Sequence, residues 1–173
     1  MFSRSFVKRA LAGLAIAGCL LAGLPAIALA QGGITIFSGV ARENQLKGWA
    51  ENGKSGTWDR YYLEIPSKKM KLAIAQISIT YPKYYKGEFD IKEVEVRVKN
   101  KAVKLQEVNW DKENQFLEIY PEEPIPAGGK VQIILSNVKN PSFGGMFYFN
   151  CRIQAPGDVP IYRYLGTWIM SIT

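Results

Sequence analysis

Apolar and polar residues alternate with a period of two from Ile34 to the end of the chain, and no stretch sustains helical spacing. Glu93-Val94-Glu95-Val96-Arg97-Val98-Lys99 is the clearest case, with valines on one side and charges on the other. That pattern belongs to a strand with one buried face. Further strands are predicted over Arg60 to Ile65, Leu72 to Tyr81, Ala102 to Val108 and Gln115 to Tyr120. Three more are predicted over Lys130 to Val138, Met146 to Ile153 and Ile161 to Ile172. A slip of phase at Ala75-Gln76 predicts a bulge there. Between the runs lie turn signals, including Pro66-Ser67-Lys68-Lys69, Asn100-Lys101, Asp111 to Asn114 and the triple-proline segment Pro121 to Gly129. The single helical candidate is short, Ala41 to Trp49. Roughly eight short strands separated by such turns predict an all-β, immunoglobulin-like antiparallel β-sandwich.

The first thirty residues follow another rule. MFSRSFVKR carries Arg4, Lys8 and Arg9 without an acid, Ala10 to Ala28 is apolar, and Ala28-Leu29-Ala30 supplies small residues for cleavage. That order is a secretory signal peptide over 1–30, which leaves a single domain over 31–173. A retained membrane anchor is the rival, disfavoured by Pro25 and the Ala-Leu-Ala end. Ile16-Ala17-Gly18-Cys19 also fits a lipobox, but the residues after Cys19 are apolar where a lipoprotein has a polar tether. The expectation is therefore an exported protein of periplasm or extracellular space, with thylakoid lumen open and a lipid anchor at Cys19 less favoured. No transmembrane span is expected in the processed chain.

Removing the leader also changes the charge. The 22 basic residues less Arg4, Lys8 and Arg9 leave 19 against 15 acidic, about +4 instead of +7. So mild an excess predicts no nucleic-acid partner. Cys151 is then the sole cysteine. Alternation groups it with Phe147, Phe149 and Ile153 on an apolar side, as an inert core thiol.

Candidate chemistry is sparse. Gly48 to Ser55, GWAENGKS, satisfies the phosphate-loop pattern at every constrained position. A phosphate loop needs a buried strand before it and a helix after it. Arg42 to Lys47 is no such strand and Gly56 to Tyr62 no helix, so nucleotide binding is not expected. The chain contains no histidine, which removes Ser-His-Asp and Cys-His catalysis and histidine metal sites. Asp111-Lys112-Glu113-Asn114 is only a fragment of a calcium loop, and neither a metal nor a cofactor is expected. Glu122 and Glu123, flanked by prolines, are the nearest approach to a carboxylate-based hydrolase. What stands out is aromatic: Trp49, Trp58, Tyr61, Tyr62, Tyr81, Tyr84, Tyr85 and Trp110. Most complete the core of a sandwich. Tyr84 and Tyr85, between Lys83 and Lys86 in a loop, are candidate ligand contacts together with Trp49 and Trp58, since aromatics beside cations stack on sugar rings or fill protein interfaces.

The C-terminal half resembles exported cyanobacterial proteins that share one domain of unknown function. The resemblance runs through Pro124 to Gly129, Lys130 to Leu135 and Val138-Lys139-Asn140-Pro141 with Gly144-Gly145. It continues through Met146 to Phe149, Pro156-Gly157-Asp158-Val159-Pro160 and Tyr164-Leu165-Gly166-Thr167. Leu63 to Pro66 and Leu72 to Pro82 match more loosely. The resemblance implies an exported, compact β domain, with no enzymatic activity and no defined functional residues. Taken together, the reading is a non-catalytic module of the cell envelope, with an unknown protein or polysaccharide as partner. A carbohydrate-binding module using loop aromatics is the first alternative.

Overall fold

A computed structural model describes residues 39–158 and 161–173. The leader over 1–30, the Cys19 alternative, the domain boundary at 31 and Val159-Pro160 lie outside the described residues. What is described is all-β: eleven strands and three short 3-10 turns. One sheet has six strands in the order β1-β11-β10-β4-β8-β7, the other five in the order β2-β3-β9-β5-β6. The strands are β1 (Gln45–Leu46), β2 (Gly48–Ala50), β3 (Trp58–Ile65), β4 (Gln76–Thr80), β5 (Val94–Val98) and β6 (Lys101–Val103). They continue as β7 (Leu105–Asp111), β8 (Phe116–Pro121), β9 (Val131–Lys139), β10 (Gly145–Gln154) and β11 (Arg163–Ile172). Every pairing is antiparallel except β1 with β11. No described helix is long and apolar enough to cross a membrane.

Alternation accounts for the interior. Leu63 and Ile65 of β3, Val131, Ile133 and Leu135 of β9 and Val96 of β5 face Ile77, Ile79, Leu117, Ile119, Phe147 and Phe149 of the other sheet, all buried. Each contributes about 1.5–3 kcal/mol by leaving water. Cys151 sits where alternation puts it. Cys151 is fully buried between Phe149 and Ile153, and burial pushes its thiol well above the usual range.

Several boundaries differ from the sequence expectation, each for a local reason. The helical candidate at 41–49 is a 3-10 turn, Arg42–Asn44, followed by β1 and β2, because its apolar residues pair with two sheets and do not share one face. No bulge occurs at Ala75-Gln76. Ile74 instead makes an isolated bridge to Ile125, and β4 begins after it, so the slip of phase marks a strand start. Bulges fall near Arg60, Gln106 and Cys151. The β5–β6 hairpin turns on Lys99 and Asn100, both at positive φ (49° and 66°), one residue earlier than expected. The single strand expected over Ala102 to Val108 is two, β6 and β7, in different sheets.

That division closes the sandwich laterally. At Lys104 the chain leaves the five-stranded sheet for the six-stranded one, and at Lys47 it crosses the other way. The second crossing needs glycine. A Cβ on Gly166 of β11 would lie 2.5 Å from the Asn44 carbonyl oxygen and 2.8 Å from Leu46 Cγ. Gly166→Ala is accordingly expected to cost about 1–3 kcal/mol, the usual penalty of overpacking, read as a lower urea midpoint.

Candidate functional site

The segment GWAENGKS is fully employed by the fold. A Cβ on Gly48 would lie 2.9 Å from Trp168 Cδ1, so this glycine lets β2 pass over the buried indole. Gly53 takes φ +64° in the turn that follows. The amides of Asn52 and Gly53 donate to the Asp59 carboxylate at 3.0 and 2.8 Å, and the Arg60 amide donates to it at 2.7 Å. Asn140 Nδ2 donates both to Asp59 Oδ2 (2.9 Å) and to the Lys54 carbonyl (2.8 Å). The Ser55 amide donates to the Thr173 carbonyl. No helix follows, and the amides point to an internal carboxylate. The arrangement that cradles a phosphate is absent.

From Asp59 a hydrogen-bonded chain runs into the core. Tyr61 Oη donates to Asn140 Oδ1 (2.5 Å), and Tyr85 Oη donates to Tyr61 Oη (3.3 Å). Burial pushes both phenols well above their ordinary range. Tyr85 packs edge-on against Phe147 and Phe149, with centroids at 5.2 and 5.0 Å, and is 3% exposed. It therefore belongs to the interior and not to the loop surface expected for it. Gly87 covers its hydroxyl, because any side chain there would collide with Tyr85 Oη and with the Lys139 carbonyl.

The turn from β9 to β10 gathers one end of the sandwich, since Gly56 donates to Pro141 O and Glu88 bridges Lys139. Here lies a solvent-open cleft of about 370 Å³. Trp58, at the start of β3, is 62% exposed, with Lys139 Nζ 5.3 Å from its ring. Across from it stands Trp110 of β7, fixed by its indole N–H donating to Tyr81 Oη (2.6 Å) and by edge contact with Phe89 at 5.4 Å. Phe89 and exposed Ile91 complete the apolar lining, and Glu88, Asp90, Lys92 and Asn137 supply polar groups. Apolar rings with a few polar groups around them are what a small-molecule or sugar site requires.

The two cleft carboxylates do not form a hydrolytic pair. Glu88 holds Lys112 at 3.1 Å, and Asp90 accepts from the Lys92 amide at 3.1 Å. Both come from one three-residue stretch, whereas glycosidases place carboxylates on opposite sides of the bond. Glu122 and Glu123 are exposed in a loop of their own, with Lys104 4.0 Å from Glu122. Among the described residues no three His, Cys, Asp or Glu side chains converge as metal ligands. Asp111 accepts from Asn114, which holds its carboxyl below the usual range and caps the β7–β8 turn.

The other aromatics named from sequence are spread out. Tyr84 is half exposed at the same end as Trp58 and leans on Phe147 at 5.7 Å. Trp49 lies elsewhere, stacked on Tyr62 at 5.0 Å and 16°, with Lys47 Nζ 5.0 Å from its ring. Sequence reasoning did not pair Trp58 with Trp110, nor include Ile91 and Asn137. These come from four separate segments, and no local pattern joins them.

A search of curated proteins finds no match. Among solved structures, the chain is similar to BslA, a bacterial hydrophobin (13% identity, TM-score 0.49, covering 75% of this chain and 97% of that one). It is also similar to the collagen adhesin of S. aureus (11%, 0.43, 73% and 48%). An uncharacterized Nocardia farcinica protein with an immunoglobulin-like fold gives 9%, 0.43, 75% and 98%. A family model described as "Protein of unknown function (DUF2808)" matches residues 34–172.

Proposed function

Because the chain belongs to the DUF2808 family, whose function is unknown, we propose a role from the geometry: an exported, non-catalytic envelope module that binds carbohydrate at its loop end. The observation carrying this reading is the open cleft between Trp58 and Trp110, two indoles facing a space rimmed by Glu88, Asp90, Lys92 and Asn137. Its supports are the ordered leader pattern of residues 1–30 and a histidine-free composition. Trp58 is the contact to test, because its exposure separates binding from folding. Trp58→Ala is expected to weaken retention on a bound polysaccharide about tenfold, near 1.4 kcal/mol, with the melting temperature unchanged. Affinity electrophoresis through gels containing a panel of neutral and acidic polysaccharides measures this. Migration unaffected by every polysaccharide, or retention indifferent to Trp58→Ala, overturns the carbohydrate assignment and leaves a protein partner as the reading.

A further inference from the structure

Beside the cleft is a second, smaller recess of about 170 Å³. Lys83 and Lys86 reach it from the β4–β5 connection and Lys112 and Gln115 from the β7–β8 turn, with Tyr81, Tyr85 and Gly87 completing the lining. Three ammonium groups around one recess repel each other unless an anion joins them. Among the described residues Lys83 and Lys86 have no carboxylate partner, and Lys112 shares only Glu88. Gln115 does not supply the missing charge, because its amide donates into its own turn, to the Lys112 and Glu113 carbonyls.

A separate feature points the same way. Tyr81 is 7% exposed, and its hydroxyl accepts from Trp110 Nε1, yet no described group accepts its own proton. Buried donors ordinarily have acceptors. Tyr81, which lines the recess, therefore has an O–H free to donate beside Lys83 and Lys86, the two lysines without a carboxylate partner.

The recess and the cleft share a wall. Glu88 lines the cleft and Lys112 the recess, and the two are ion-paired; Trp110 lines the cleft and Tyr81 the recess, and the two are hydrogen-bonded. We propose that the recess holds an oxyanion, a carboxylate or sulfate, of an acidic polysaccharide whose adjoining ring lies in the Trp58–Trp110 cleft. This rests on the carbohydrate reading of that cleft and narrows it to anionic glycans. Lys83 and Lys86 bind the anion, Tyr81 donates its free proton to it, and Trp58 takes the ring.

The test compares polygalacturonate and dextran sulfate with neutral galactan and dextran in affinity gels. It uses the wild type, Trp58→Ala and the exposed double variant Lys83→Ala/Lys86→Ala. The expected result is at least tenfold tighter retention on the acidic polymers, weakened by 0.5 M salt as screening requires. The lysine variant should lose that preference and Trp58→Ala should weaken all retention. Equal, Trp58-dependent retention on neutral and acidic polymers overturns the anion assignment and leaves the carbohydrate reading standing. An acidic preference indifferent to Lys83 and Lys86 likewise overturns the recess. Retention on no polymer, together with no response of Lys83 and Lys86 to free sulfate or galacturonate, removes both readings. Free sulfate or galacturonate shifting the Lys83 and Lys86 amide resonances, with no polymer retained, overturns the polymeric ligand.

Discussion

Trp168→Ala is expected to lower the unfolding free energy by about 3–5 kcal/mol, the range for emptying a fully buried aromatic site. Trp168 is completely buried, and its indole N–H donates across the sandwich to the Glu64 carbonyl at 3.0 Å. It also lies against the backbone of Gly48, where β2 crosses it. Truncation thus removes a large apolar surface, a hydrogen bond between the two sheets and the floor beneath an edge strand. Urea unfolding with an unchanged slope reads the loss as a shifted midpoint. The geometry also predicts a coupling. Gly48→Ala collides with the indole in the wild type, whereas in the Trp168→Ala background the closest contact, at 2.9 Å to Cδ1, is gone and only those to the Cβ of residue 168 and to Leu63 Cδ2, at 3.1 and 3.2 Å, remain. The double variant should be more stable than the sum of the single losses implies, by about 1 kcal/mol. Strict additivity would show that the contact does not constrain position 48.

Asp59→Ala is the second large effect, expected at roughly 2–4 kcal/mol, because it leaves several buried donors without an acceptor. Burial alone would raise this carboxyl. The Asn52 amide, the Asn140 side chain and the amides of Arg60 and Gly53 together overcome it and hold Asp59 below its ordinary value. The sign of the pH dependence follows. A carboxyl depressed in the folded state contributes stability that is complete above its unfolded pKa, about 3.9, and is lost as pH falls below that value. The difference in stability between wild type and Asp59→Asn should therefore be constant near neutrality and shrink between about pH 4 and pH 3. Urea titrations at a series of pH values test it, and a difference that stays flat to pH 3 removes Asp59 as the group responsible.

Much of the sandwich was legible because alternation is a local property. Val94, Val96 and Val98, or Phe147, Phe149 and Cys151, carry their burial in their spacing alone. Three things were not local. Tyr84 and Tyr85 are neighbours of identical composition in a loop, and which one enters the core depends on Phe147, Phe149 and Tyr61, sixty residues downstream or twenty upstream. The division at Lys104 is invisible in a continuous strand-like run, because changing sheets needs only one residue. The cleft depends on Trp58 and Trp110 meeting around residues 88–91. The Asp59 network had a faint signal: an aspartate at a strand start just after Asn52-Gly53, a turn whose amides need an acceptor. The two glycines of the phosphate-loop pattern have structural duties, to Trp168 and to the Asp59 turn, that required coordinates.

The last residue sits in an informative place. Thr173 exchanges backbone hydrogen bonds with Gly53 and Ser55, beside the end that carries Trp58, while Asn44 enters next to Gly166, toward the start of β11. The end of β11 and the tryptophan cleft thus share one end of the described sandwich. Immobilising the protein through its tail would press that cleft against the support.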